Sequence, residues 1–372
     1  MAEMELFAAC PPGLEGAVAE ELAALGCGPG QRHSGGVAFA GGWAELARAN
    51  LGLRCASRVL LRLAAFGAPH LAQLDRRARR LDWAAWLPAG AALRVRASCS
   101  RSRIYHTRAA AERVEQAAAA AVGGRVVRGQ AQPAIEIQLR IVRDRATLSL
   151  DSSGAPLWRR GHKQEVTAAP LREHLAAAAL RLAGYDGSEP LLDPLCGSGS
   201  FLLEAAEMAL GRAPGLARDF ACQAWPACDR HAWQAERRRL QAAERQRPAA
   251  AIFGSDRSGG AVGVSRRNLR RAGLEELVAL ERRPLEQLEP PAAAGLWIGN
   301  PPYGGRLGGA ETEALHRAMG RVARERFRGW RIALLTAREP LARATGLDFT
   351  RVSPPLAHGG LEVRLYQTAV LD

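Results

Sequence analysis

The stretch Leu191-Leu192-Asp193-Pro194-Leu195-Cys196-Gly197-Ser198-Gly199-Ser200, followed by Phe201–Leu210, decides the fold. Leu191–Asp193 reads as a short buried strand, the glycines as a tight turn and Phe201–Leu210 as a helix. Helix Leu171–Ala183 precedes it, and further strands are expected at Ile252–Asp256, Leu277–Leu280, Leu296–Gly299 and Ile332–Leu335, separated by helical stretches. Strands alternating with helices predict an α/β, doubly wound parallel sheet. The last two runs, Phe349–Val352 and Leu361–Thr368, have no helix between them and should close the sheet as an antiparallel pair. Residues 171–372 form this unit, with a Trp- and Arg-rich insertion over 211–249 and a core expected to be self-sufficient.

Upstream, strand-like and helix-like patterns alternate. Glu5–Ala9 and Gly36–Phe39 read as strands, and Leu14–Leu25 and Trp43–Leu51 as helices, giving a small α+β unit over 1–55. A second unit, 56–155, carries basic runs at Arg76–Arg80 and Arg94–Arg96, then Ser98–Arg108, a helix Ala111–Val122 and strands Ile135–Arg143 and Ala146–Leu150. Residues 156–170 look like a basic linker. The chain of 372 residues has a net charge of +14, and residues 1–164 hold 23 Arg/Lys against 13 Asp/Glu. That excess points to a polyanionic partner gripped mainly by the amino-terminal half. Arg101, Arg103, Tyr105, His106 and Arg108 interleave cations with aromatics, and Arg159, Arg160 and Lys163 extend the basic surface, so these are the candidate RNA contacts. The seven scattered cysteines lack a CxxC pair and read as free thiols in a reducing cytosol. Cys222, Cys228 and His231 want a fourth ligand, so no metal is expected. Neither an export signal nor an 18-residue apolar run is apparent.

The glycine turn excludes several chemistries. It lacks the Gly-Lys-Ser/Thr of a Walker loop and the frame of a serine-hydrolase elbow. Dinucleotide binding wants G-x-G-x-x-G with an acid about 20 residues on, whereas here the insertion delays Asp256, at the end of the second strand, well beyond that spacing. S-adenosylmethionine has no phosphate, so a shorter turn serves. Asp193 can meet its ammonium, Cys196, Gly197, Ser198 and Gly199 form the cradle, and Asp256 can take the ribose hydroxyls. After Leu296-Trp297-Ile298 comes Asn300-Pro301-Pro302-Tyr303. The Asn300 side-chain oxygen and Pro301 carbonyl can accept both N–H bonds of an exocyclic amine. The two prolines stiffen the turn, Asn300 backbone also borders the cofactor, and Tyr303 offers a stacking face.

Together these motifs resemble the THUMP-containing class I methyltransferases that modify the guanine amino group in bacterial large-subunit ribosomal RNA. The resemblance covers nearly the whole chain. It rests on Leu6–Glu15, Ala56–Leu61, Tyr105–Arg108, Ala169-Pro170-Leu171-Arg172-Glu173, Asn300-Pro301-Pro302-Tyr303-Gly304 and Gly359–Leu365. It implies a ferredoxin-like unit over 1–55, a THUMP RNA-binding domain over 56–155 and a Rossmann-like catalytic domain using S-adenosylmethionine on 23S rRNA in the cytoplasm. A monomer is expected. A transfer-RNA guanine-N2 methyltransferase, an adenine-N6 DNA methyltransferase and a non-catalytic RNA-binding assembly protein are the alternatives. Two positions depart from the family. Pro284 stands where an acid usually meets adenine, and Arg257 stands where a second acid is common.

Overall fold

The computed structural model describes residues 3–129, 134–167, 170–303 and 309–372; Ala169 and Gly304, quoted above, lie outside them. The amino-terminal half runs β1 (Met4–Ala9), α1 (Glu15–Ala24), β2 (Gln31–His33), β3 (Gly36–Gly41), α2 (Trp43–Gly52), β4 (Arg58–Gly67), α3 (Leu71–Ala78), β5 (Ala92–Ser100), α4 (Thr107–Val122), β6 (Arg125–Val126), β7 (Ile135–Val142) and β8 (Arg145–Asp151). All eight strands join one sheet in the order β2-β3-β1-β4-β8-β7-β5-β6. Phe7 on β1 faces Ala38 on β3 and Leu60 on β4, so the expected boundary near residue 55 falls inside a continuous sheet. On β7, Ile137, Leu139 and Ile141 are buried while the alternate positions lie more open, the period of a strand with one face on the core. The stretch Ala92–Ser100 is a strand that the charge pattern hid. Leu93 and Val95 are buried between Arg94 and Arg96, so the arginines mark one face of a sheet.

The carboxyl-terminal half continues with α5 (Glu173–Leu182), β9 (Leu191–Asp193), α6 (Ser200–Leu210), α7 (Arg230–Ala242), β10 (Ile252–Asp256), α8 (Gly259–Arg271), β11 (Val278–Arg282), β12 (Gly295–Gly299), α9 (Gly309–Arg326), β13 (Trp330–Thr336), α10 (Glu339–Ala344), β14 (Phe349–Val352), β15 (Leu356–His358) and β16 (Leu361–Val370). The sheet order is β11-β10-β9-β12-β13-β16-β14, with β15 paired to β16. Strands β9 to β13 are parallel, and β16 enters antiparallel between β13 and β14. The order reverses between β9 and β12, which opens a crevice at their carboxyl ends. Fully buried Trp297, Phe327 and Trp330 pack edge to face beneath it.

The insertion over 211–249 lies against the amino-terminal half. Buried Trp225 meets Trp43 and Trp86 edge-on, each at 6.4 Å between ring centroids. Glu236 on α7 pairs with Arg48 on α2 at 2.6 Å. Gly215 donates to Leu51 O at 2.8 Å and Cys222 to Ser152 O at 3.1 Å. The linker is equally enclosed. Arg160, expected on the RNA surface, is 3% exposed. It donates through Nε to Glu204 at 3.1 Å and through its other nitrogens to Leu157 O and Arg54 O. Lys163, expected beside it, donates to Leu171 O and to Ser200 Oγ and lies 3.4 Å from Glu173. Both cations serve the interior because buried carboxylates on α5 and α6 demand partners. Arg54 meets Glu204 and Glu207, both at 3.2 Å, and His162 lies 3.3 Å from Glu207.

Candidate active site

Three chain segments meet at the crevice. The first, residues 194–199, leaves β9 as the tight turn anticipated from its glycines. Gly197 and Gly199 adopt φ of 56° and 82°, the left-handed region that a side chain disfavours. A β-carbon on Gly197 would also stand 3.3 Å from Thr167 Oγ1, and one on Gly199 would stand 3.1 Å from Ser265 Oγ. The turn is held from below. Cys196 donates to Ser255 O at 2.9 Å, Ser265 Oγ to Gly197 O at 2.9 Å and Asn268 Nδ2 to Ser198 O at 3.0 Å. Ser265 and Asn268 sit on α8, and sequence reading did not single them out. Their only signal is a buried polar position on an otherwise amphipathic helix.

Asp193 ends β9 almost wholly buried. Burial pushes its carboxyl up to about 8; the N–H of Leu195 at 3.2 Å opposes this, and nearby Asp256 adds to it. A neutral, buried acid at the mouth of a turn is poised to ionise against a cationic ligand. Asp256 ends β10, where its Oδ2 accepts from Gly197 N at 3.2 Å and its Oδ1 from Ser258 N at 2.9 Å. Pro284 opens a 3-10 turn at Leu285–Gln287, and Glu286 on that turn is exposed. Arg282 Nε donates to Arg257 O at 3.2 Å, and Arg283 N to Asp256 O at 3.1 Å, so this edge is braced by arginines.

The third segment leaves β12, which pairs directly with β9. Asn300 Oδ1 is buried without a hydrogen-bond partner among the described residues. An orphaned acceptor costs about 1–3 kcal/mol, and its persistence at a strand exit fits a group that meets its donor on a ligand. Pro301 is buried and Pro302 half-buried. Tyr303 is half-buried against the core, and burial raises its hydroxyl above the usual range. Asp193, Cys196, Gly197, Ser198, Gly199 and Asp256 thus gather with Asn300, Pro301, Pro302 and Tyr303 at one edge. The set fits S-adenosylmethionine: an acid for its ammonium, a turn without side chains and a second-strand acid.

The remaining expected contacts lie on the β5–α4 loop, at the start of α4 and in the linker. Arg101 and Arg103 occupy the loop between β5 and α4 with Tyr105 and His106, and Arg108 lies in the first turn of α4. Tyr105 is 72% exposed and tilts against His106 at 4.1 Å. Arg103 lies 3.6 Å from Asp144, and Arg108 lies 3.1 Å from Glu112. Arg159 is exposed over the Trp158 ring at 5.3 Å. No helix among the described residues is long and apolar enough to cross a membrane. Nor do those residues contain a His, Cys, Asp and Glu group able to hold a metal ion.

Comparison with known proteins places this geometry. The profile described as "RMKL-like, methyltransferase domain" matches residues 160–358, and that described as "RlmL ferredoxin-like domain" matches residues 5–60. The Synechocystis protein slr0064, provisionally named an RNA methyltransferase, is 35% identical over 96% of this chain and 95% of its own. Ribosomal RNA large subunit methyltransferase K/L of Chromohalobacter salexigens is 37% identical over 92% of this chain. This chain spans only 49% of that protein, and about half of the other K/L relatives. The crystal structure of SMU.472, provisionally a methyltransferase and complexed with SAH, matches with a TM-score of 0.90 and 29% identity, covering 100% of this chain and 99% of its own. The chain therefore belongs to the RMKL-like methyltransferases, with a Rossmann-like methyltransferase half and a ferredoxin-like amino terminus.

Proposed function

We propose that the chain methylates the exocyclic N2 amine of a guanine in large-subunit ribosomal RNA, with S-adenosylmethionine as donor, in the cytoplasm. The observation that carries the reading is Asn300 Oδ1, buried without a partner among the described residues, at the exit of the strand that pairs with β9. The names of the K/L relatives support ribosomal RNA as substrate, and the SAH bound to SMU.472 supports the donor. When bound, S-adenosylmethionine supplies an electrophilic methyl group.

The protein's part is positioning. Asn300 Oδ1 and the Pro301 carbonyl accept the two N–H bonds of the amine, localising a lone pair that the ring would otherwise delocalise. Pro301 and Pro302 hold that carbonyl in place, and Tyr303 borders the base. Asp193 would hold the donor's ammonium, and Asp256, which accepts from Gly197 N and Ser258 N, would take its ribose hydroxyls. The donor would supply the methyl group to the amine nitrogen that these residues orient, and the methylated nitrogen would release its proton to solvent. No strong base is required, so catalysis rests on orientation and charge.

Replacing Asn300 with alanine should cut methyl transfer at saturating substrates about 10²–10³-fold, the scale of losing one preorganised polar group. Donor affinity, measured by calorimetry, should stay within a few-fold. A variant that keeps most of its activity would overturn the assignment of Asn300 to the amine.

A further inference from the structure

A cavity of about 570 Å³ lies between the linker, the start of α5 and the turn joining β15 to β16. Its walls include Trp158, Arg159, Lys163, Arg172 and His358. Arg159 and Arg172 both stand 5.3 Å from the Trp158 ring. Both guanidinium groups are exposed, and neither has a carboxylate partner among the described residues, which hold every acidic residue of the chain. Such freedom contrasts with this protein's many paired arginines. The one acid in the wall, Glu173, is buried and already faces Lys163 at 3.4 Å. His358 Nδ1 is buried with no hydrogen-bond partner among the described residues. An aromatic ring bracing two planar, unneutralised guanidiniums beside an orphaned ring nitrogen is a site built for an oxyanion.

The cavity floor is bolted to the active site. Lys163 Nζ donates to Ser200 Oγ at 3.0 Å, and Ser200 Oγ donates to Leu171 O at 2.9 Å. Ser200 opens α6 directly after the glycine turn, and Thr167 borders Gly197. An anion held here is therefore fixed relative to the donor cradle. We propose that this cavity is a phosphate subsite, in which Arg159, Arg172 and Trp158 hold the RNA backbone next to the target nucleotide. The proposal rests on the RNA methyltransferase reading and adds the positioning residues that set strand register.

The test compares the full-length chain with Arg159→Gln/Arg172→Gln and, separately, Trp158→Ala, on an unmodified 23S rRNA transcript. Both arginines are exposed and unpaired, so the double replacement strands no buried charge. It should raise KM for the transcript at least tenfold while kcat at saturating RNA falls only a few-fold. The salt dependence of RNA binding should become shallower by about 1.4 in log–log slope, two contacts at roughly 0.7 each. Donor affinity should be unaltered, and inorganic phosphate should compete with RNA on the native protein more strongly than on the double variant. An unaltered KM and slope in a folded, active variant would overturn the subsite and leave the enzyme reading standing. Donor affinity falling in step with RNA affinity would also overturn it, by assigning the cavity to the cofactor. A native protein that binds the donor but methylates no RNA would overturn the reading itself and the subsite with it.

Discussion

Asp193 gives the chemistry a pH dependence whose sign follows from burial. Its carboxyl is neutral up to about pH 8 in the free protein, far above an ordinary aspartate. Ionisation inside the fold is therefore unfavourable. The stabilisation associated with the neutral form is complete below the ordinary aspartate range and is lost as pH rises through about 8. A cationic ligand reverses the balance by favouring the carboxylate. Donor affinity should accordingly rise from pH 6 to pH 8, by up to about tenfold per unit, and binding near neutrality should release a proton. Calorimetry in buffers of different ionisation enthalpy reads that proton directly. Asp193→Asn should flatten the profile and weaken binding; a steep profile that survives the replacement would assign the proton elsewhere. At this scale hydrophobic patterning located the strand ends where Asp193, Asp256 and Asn300 sit, and the glycines marked the turn at Gly197 and Gly199. The sequence misled for Arg160 and Lys163. Their acid partners, Glu204 and Glu173, lie in other helices, and a local reading of charge contains no pairing.

Among the elements, the insertion over 211–249 shows what composition leaves open. Its tryptophans and arginines read equally as an RNA surface or as a core, and only the docking partners decide. Trp225 fills the space between Trp43 and Trp86, and Arg218 donates to Ser153 O, Ala155 O and Pro156 O at 2.6–2.9 Å. Trp225→Ala should therefore destabilise the fold by about 3–5 kcal/mol, the cost of a large aromatic cavity. A urea unfolding curve with an unshifted midpoint would show that the insertion is a detachable surface element. Strand β5 carries the converse lesson. Arg94 and Arg96 drew attention as a basic run, yet the alternating Leu93 and Val95 define a strand with arginines on one face. Where charge and periodicity compete for the same residues, periodicity reports the backbone and charge reports only the exposed side.

For the whole molecule, the catalytic half read as a self-contained unit, since its sheet, turn and strand exits all lie beyond residue 165. The folded chain ties the halves together more closely. Removing residues 1–164 would strip Arg54, Arg160 and His162 from buried Glu204 and Glu207. Breaking one buried pair by deleting a partner costs about 3–5 kcal/mol. A 165–372 fragment should consequently fold poorly or melt far below the intact chain by circular dichroism; a fragment with native-like melting would show those acids to be neutralised another way. The amino-terminal half carries most of the excess positive charge. The most direct test of the proposed function is nucleoside mass spectrometry after incubating the protein and S-adenosylmethionine with unmodified 23S rRNA, transfer RNA and DNA in parallel. The expected product is N2-methylguanosine in the 23S rRNA alone; methyl groups confined to transfer RNA, N6-methyladenine in DNA, or no product in any substrate would contradict it.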